Sequence, residues 1–458
     1  MDNTINKGQK VSYWESVKVG FPLLCLLMGD FISFSKPSES GSGMFIDFET
    51  YRLVVFGGIY LLSAWAIYLR RVDFYSMMNG HWPYVFFLIY AFSSSLWAAY
   101  PAKALIISGH LLGHYIIAVA WLLMFRGYEV SLLRAFCMFS YVFIPACLIT
   151  AVFFPDRNIH VLTNRWMGLT WNPNSLGGAV MICVWANISY LLYAEKTQMR
   201  LLIILMVAGS FILLVGAGSV TSMALSAIVV AGVPLLYWFA RSRNAINASL
   251  KIAYSGAIIF GIFGYFYATQ PELFEANRVL GSVGRDSNLT GRASLWAIAN
   301  AAIDERPWLG WSFDALQSLP SKYSIRYYHF HNGYLDLMVR GGRIALGFIV
   351  FFAVTSAIRL VRIAPFNPRL FASYGVLLAI ILLQNVSEST FGTAPNQLWL
   401  LFTFLYIGVS PRIYRWYETG VLETKIKQSD KLAEGASFAP VISPRRPLGS
   451  IQKSGPNA

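Results

Sequence analysis

Eight lysines and arginines, with His329 and His331, fall between Asn277 and Arg343 in a chain that is otherwise apolar for long stretches. Imidazole and guanidinium are the groups a protein uses to remove a proton and to hold phosphate. His331 lies in His329-Phe330-His331-Asn332-Gly333-Tyr334-Leu335-Asp336, where the polar stretch gives way to apolar sequence. An imidazole titrates near neutral pH, so it can take a proton from a hydroxyl there. Asp336 is out of register for a shared helix face with His331, and no dyad is read from the pair. The same histidine would also suit an interfacial aromatic belt made with Tyr327, Tyr328 and Tyr334.

Arg292 lies in Leu289-Thr290-Gly291-Arg292-Ala293-Ser294-Leu295-Trp296. Thr290 suits a helix N-cap, and Leu295, Trp296, Ala299 and Ile303 recur on one helical face. Arg306-Pro307 should stop that helix, because the residue before proline avoids helical angles. Arg292 then sits in the first turn, where the helix dipole disfavours a cation. A bound anion shared between the guanidinium and the helix end would reconcile the two. A surface arginine at a fraying helix end is the plainer alternative. Arg165 opens Arg165-Trp166-Met167-Gly168-Leu169-Thr170-Trp171-Asn172-Pro173-Asn174-Ser175, whose Asn-Pro-Asn-Ser leads into a helix start. It is either a ligand for an outer-face anion or an anchor for lipid headgroups.

Other polar groups suggest less. His110 and His114, one helical turn apart, and His329 with His331 have no carboxylate or cysteine at ligand spacing, so no metal or other cofactor is expected. His110 and His114 read as polar groups facing a bundle interior. Asp30 and Glu388, near helix ends, could snorkel to the interface or line a cavity. Cys25, Cys137, Cys147 and Cys183 all fall in apolar runs, and no structural disulfide is expected.

The elements that must position these groups are membrane spans. Of 458 residues, 56% are hydrophobic and 13% charged, against about 25% charged in soluble domains. Runs of about 20 apolar residues suffice to span a bilayer. They occur at 19–35, 52–69, 83–100, 104–125, 132–154, 175–194, 201–217, 220–240, 250–268, 341–361, 370–388 and 396–414. The expectation is an all-α polytopic membrane protein with about 12 transmembrane helices and one long helical extracytoplasmic loop. Nine spans fill residues 1–268, the loop 269–340, and three more spans 341–417. The tail 418–458, rich in Lys, Pro, Ser and Gly, should be disordered. Lys7, Lys10 and Lys18 precede an apolar run without a small-residue cleavage site, so the first span should remain attached. With the N-terminus inside, the inner ends carry 17 Lys and Arg and the short outer loops five: Lys36, Arg52, Lys103, Arg157 and Arg165. Both termini are then cytoplasmic, and the long loop faces the outside, the periplasm of a Gram-negative cell. The net charge of +14 punctuates apolar runs instead of forming one soluble basic face, so nucleic acid is not an expected partner. No GxxxxGK[ST] motif occurs, which argues against an ATP-driven pump. Nucleotide sugars are cytoplasmic, so an outer-face enzyme needs an activated carrier that has already crossed the membrane.

Ser95-Leu96-Trp97 with Pro101, then RWMGLTWNPNSLGG, GRDSNLTGRASLW, ERPWLGWSF and HNGYLDLMVRGG, follow one another in this order. Together they resemble the O-antigen ligase and polysaccharide polymerase superfamily of bacterial membranes, over roughly residues 80–410. The GRDSNLTGR and ERPWLGWSF runs look most like the exopolysaccharide-polymerase branch. The resemblance implies a metal-independent glycosyltransferase of the bacterial inner membrane. Its donor would be an undecaprenyl-diphosphate-linked oligosaccharide and its acceptor a second glycan, with a flippase and a chain-length regulator as possible partners. It implies that His331 deprotonates the acceptor hydroxyl and that Arg292 and Arg165 hold the diphosphate, with Arg285 in support. Two departures stand out. Ser219-Val220-Thr221-Ser222 has valine where relatives often carry a basic residue, and Arg340 stands where an acidic or neutral residue is expected. A ligase that moves finished glycan onto lipid A-core would use the same chemistry. A transporter or flippase for lipid-linked sugars would instead call for mid-span polar residues and repeat symmetry between halves, neither of which is clear here.

Overall fold

The computed structural model describes residues 48–410, apart from 242–291 and a few short internal stretches. The expected spans 19–35 and 250–268, the tail from Glu418, and Asp30, Arg285 and Thr290 lie outside the described residues. The described helices are α1 (Phe48–Leu69), α2 (Arg71–Met78), α3 (Trp82–Ser93), α4 (Pro101–Met124), α5 (Tyr128–Phe153) and α6 (Pro155–Asn158). A two-stranded hairpin follows, β1 (Ile159–His160) antiparallel to β2 (Arg165–Trp166). Then come α7 (Pro173–Leu191), α8 (Thr197–Ala217), α9 (Val220–Ala240), α10 (Arg292–Glu305), α11 (Gly333–Ile363), α12 (Pro368–Ser387) and α13 (Gln397–Gly408). Among the described residues six helices are long and apolar enough to cross a membrane: α4, α5, α8, α9, α11 and α12. The chain is an all-α polytopic membrane protein.

Local sequence explains where these helices begin. Proline occupies the first turn of α3, α4, α7 and α12, where its missing N–H costs nothing. Asn172, Asn332, Asn367 and Asn396 cap α7, α11, α12 and α13 by accepting backbone N–H groups. Gly218, in the left-handed region at φ 55°, closes α8 and lets α9 start two residues later.

The helices hold together through large aromatic side chains and a few internal hydrogen bonds, since burying apolar surface gives little advantage between helices already in lipid. Tyr84 of α3 stacks on Tyr115 of α4 and Phe352 of α11, each at 5.4 Å, and bonds Thr403 of α13 at 2.8 Å. Trp185 of α7 donates to the Ser373 carbonyl of α12 at 2.8 Å. His110 and His114 are buried, as expected: His110 Nδ1 lies 2.9 Å from the Tyr60 hydroxyl, and His114 Nε2 accepts from the Asn396 N–H at 3.3 Å.

The long loop has a core of its own. Ala299, Ala302 and Ile303 of α10 bury against Trp311, Leu316, Phe330 and Val339, with Leu295 beside them. This is largely the face read from the sequence. α10 ends at Glu305, just before Arg306-Pro307. The loop joins the bundle at a break in α11, which starts at Gly333 and kinks at Gly342 (φ 61°, ψ −165°), close to the expected boundary at 340/341. That backbone region is open essentially to glycine alone. The break frees backbone groups, and the segment after α10 takes them up. Trp311 and Ser312 N–H donate to the Val339 and Arg340 carbonyls at 2.8 and 2.9 Å, and Arg343 N–H donates to the Pro307 carbonyl at 2.8 Å. Irregular backbone at membrane depth survives only when paired in this way.

Candidate functional site

Three of the four site residues expected from sequence meet at the C-terminal ends of α8 and α12. Arg165, on β2, donates from Nε to the Ala217 carbonyl at 2.6 Å and from Nη2 to Asn174 Oδ1 at 3.0 Å. Asn174 in turn donates from Nδ2 to Glu388 Oε1 at 3.2 Å. Arg292, the first residue of α10, donates from Nη1 to the Ser387 carbonyl at 2.7 Å, and its Nη2 lies 3.4 Å from Glu388 Oε1. His331 Nδ1 lies 3.3 Å from Glu388 Oε2. Arg285 lies outside the described residues.

Both arginines thus sit on the carbonyl ends of other helices, α8 for Arg165 and α12 for Arg292, where a cation is favoured. The sequence argument set Arg292 against the dipole of its own helix and required an anion to offset it. Its side chain instead reaches away to the carbonyl end of α12, and a carboxylate from the chain supplies the anion. Neither arginine stands alone at the surface: Arg165 is half-buried, and the Arg292 side chain is 12% exposed.

His331 is held from both sides. Its φ is 52°, a left-handed conformation uncommon for a residue with a Cβ. Before it, Phe330 N–H donates to Asp336 Oδ1 at 2.8 Å, and the Phe330 carbonyl accepts from Trp296 Nε1 at 3.1 Å. Asp336 therefore serves the backbone ahead of the histidine. After it, Asn332 caps α11, and Gly333 N–H donates to the Glu388 carbonyl at 3.1 Å. A Cβ on Gly333 would fall 1.9 Å from Asn385 Oδ1. That oxygen accepts from Thr390 and Phe391 N–H, both at 3.0 Å, and so shapes the turn bearing Glu388. The His329 and His331 rings lie edge-on, 4.1 Å between centroids.

Electrostatics follow the same contacts. Burial pushes the Glu388 carboxyl up, but the hydrogen bond and charge of His331, with the Arg292 guanidinium, outweigh it and hold the group below the ordinary carboxylate value. Burial, with His331 beside it, takes His329 below the ordinary imidazole value. The Ser387 hydroxyl donates to Thr221 at 3.2 Å. This brings Thr221 of Ser219-Val220-Thr221-Ser222 to the edge of the cluster. Among the described residues no three His, Cys, Asp or Glu are grouped to hold a metal ion, and Cys137, Cys147 and Cys183 are free and buried.

Sequence reasoning left Glu388 unassigned and never singled out the Asn174 side chain. Glu388 did carry a signal: it is an acid closing a long apolar run, where ionisable groups are usually functional. Nothing local marks Asn174 beyond the helix start it belongs to.

A comparison with curated proteins finds no match. Residues 201–350 match the family described as O-antigen ligase. That stretch runs from α8 through the long loop into α11 and contains Arg292 and His331; Arg165 and Glu388 lie beyond its two ends. Over that third of its length the chain is thus similar to the O-antigen ligase family.

Proposed function

We propose that the protein is a glycosyltransferase of the bacterial inner membrane. It joins an undecaprenyl-diphosphate-linked glycan to a sugar hydroxyl at the periplasmic face, in exopolysaccharide or O-antigen synthesis. The observation that carries this reading is the convergence of Arg292, Arg165 through Asn174, and His331 on the single carboxylate of Glu388. Two cations and an imidazole gathered around one anion are the parts needed to hold a diphosphate beside an activated hydroxyl.

In this reading the acceptor oxygen attacks the anomeric carbon. The bond from that carbon to the diphosphate oxygen breaks, and its electron pair leaves with undecaprenyl diphosphate. The acceptor proton passes to His331 Nε2 and then to solvent. Arg292 and Arg165, with Arg285 as a further candidate, stabilise the charge that grows on the leaving group, an interaction strongest in the transition state. No metal is required for this chemistry. Both termini are cytoplasmic in this reading, and a flippase and a chain-length regulator would work beside the enzyme.

His331→Ala should abolish polymer while the protein still folds and inserts. Wild-type polymer in that strain rejects the reading. Polymerase and ligase share this chemistry and differ in acceptor. The exopolysaccharide-like loop motifs favour a polymerase, and the family's description favours a ligase. A deletion strain separates them: loss of a polymerase leaves single repeats, whereas loss of a ligase accumulates long lipid-linked chains.

A further inference from the structure

The cluster contains one group that the reaction scheme does not use. Glu388 touches Arg292, His331 and Asn174 at once, yet it is neither the base nor a cation for the donor. Its backbone is fixed at both ends, by its own N–H to the Gln384 carbonyl at 2.9 Å and by the Gly333 N–H to its carbonyl at 3.1 Å. Its side-chain contacts are looser, 3.2 to 3.4 Å, at or beyond the long edge of charge-assisted hydrogen bonds. Arg292 holds the Ser387 carbonyl at 2.7 Å with its other terminal nitrogen, so the arginine stays in place if the carboxylate lets go. The Glu388 side chain is 21% exposed.

We propose that Glu388 is a positioning residue with two linked tasks: it stands in for the donor diphosphate on Arg292 and it orients the imidazole of His331. This inference rests on the glycosyl-transfer reading above. A carboxylate beside Nδ1 keeps the ring proton there, which leaves the lone pair on Nε2 to face the acceptor. A diphosphate carries more negative charge than a carboxylate and matches the guanidinium fork, so it takes the outer nitrogen of Arg292. Glu388 is then left to His331 and Asn174, and it balances the imidazolium that forms when the acceptor proton arrives. Donor binding and readiness of the base are coupled through one side chain.

The test is a kinetic split on the purified full-length protein with a lipid-linked oligosaccharide donor. Glu388→Gln keeps the shape of the side chain and removes its charge. It should lower kcat by about 10- to 100-fold and leave the donor KM unchanged or reduced, because the competing anion on Arg292 is gone. Glu388→Asp should recover part of kcat at the same thermal midpoint as Glu388→Gln. A merely structural role would lower kcat for both variants in step with their stability. The proposal is overturned if Glu388→Gln keeps kcat within twofold of wild type, if its donor KM rises, or if Glu388→Asp recovers nothing. Titration with farnesyl diphosphate separates this failure from failure of the function itself. A wild-type protein that neither binds that probe nor turns over donor overturns both readings, whereas one that does both while Glu388→Gln behaves as wild type overturns only the role of Glu388.

Discussion

His331 is placed by its backbone before any side-chain chemistry begins. The left-handed φ at this residue aims the ring toward the end of α12. Asn332 after it and Asp336 in the first turn of α11 keep the backbone there. Arg292 is the corresponding charge, anchored on the Ser387 carbonyl. Arg292→Lys keeps the charge and loses the fork, so the donor KM should rise about tenfold, equivalent to about 1.4 kcal/mol. Steady-state kinetics with varied donor will read it, and an unchanged KM would remove Arg292 from donor binding. The carboxylate of Glu388 adds a pH signature. Its pKa in the folded protein is depressed, so its contribution to stability is fully present above the unfolded value and disappears as pH falls through the lower folded value. Thermal midpoints of wild type should therefore fall more steeply below about pH 4.3 than those of Glu388→Gln. Parallel curves would contradict the depressed value.

At the scale of elements, the loop and the bundle meet at two glycines. Gly333 lets α11 start against Asn385, and Gly342 breaks the same helix so that Trp311 and Ser312 can bond to it. A Cβ on Gly342 would fall 2.1 Å from the Trp308 carbonyl, in a backbone region unfavourable to any side chain. Gly342→Ala should cost about 3 kcal/mol and lower the thermal midpoint of the purified protein. Activity should fall with it, since the loop carries Arg292 and the kinked helix follows His331. A midpoint equal to wild type would mean that the kink is not required. Gly347, on the far side of the kink, has open space where a Cβ would go and is the control, with no loss expected for Gly347→Ala.

For the molecule as a whole, the decisive property is the side of the membrane on which the cluster lies. On the proposed reading the bias of Lys and Arg is taken to set the long loop outside, and labelling tests it. Ala301 is exposed on α10, so Ala301→Cys in intact spheroplasts should react with a membrane-impermeant maleimide, while buried Cys137, Cys147 and Cys183 should not. Labelling only after lysis would invert the topology and remove the periplasmic site.

The order of the apolar runs was enough to establish a polytopic helical protein, because a bilayer leaves backbone hydrogen bonding no other ordinary solution than a helix or a closed barrel. Each expected span from 52–69 to 220–240, and each of the last three, overlaps a described helix. The helix at 83–100 ends at Ser93, however, and the one described within 396–414 covers only Gln397–Gly408. Residue chemistry and motif order likewise singled out Arg165, Arg292 and His331, since few side chains can hold a phosphate or accept a proton near neutral pH. Their meeting at Glu388 was not legible. Arg165 and Glu388 are far apart along the chain, and only the packing of α7, α9 and α12 brings their ends together. Nor could local pattern reveal that α11 begins before its membrane run and kinks at Gly342. The partners of that break lie in the segment after α10, and a backbone group's partner across the fold is decided by tertiary contact alone.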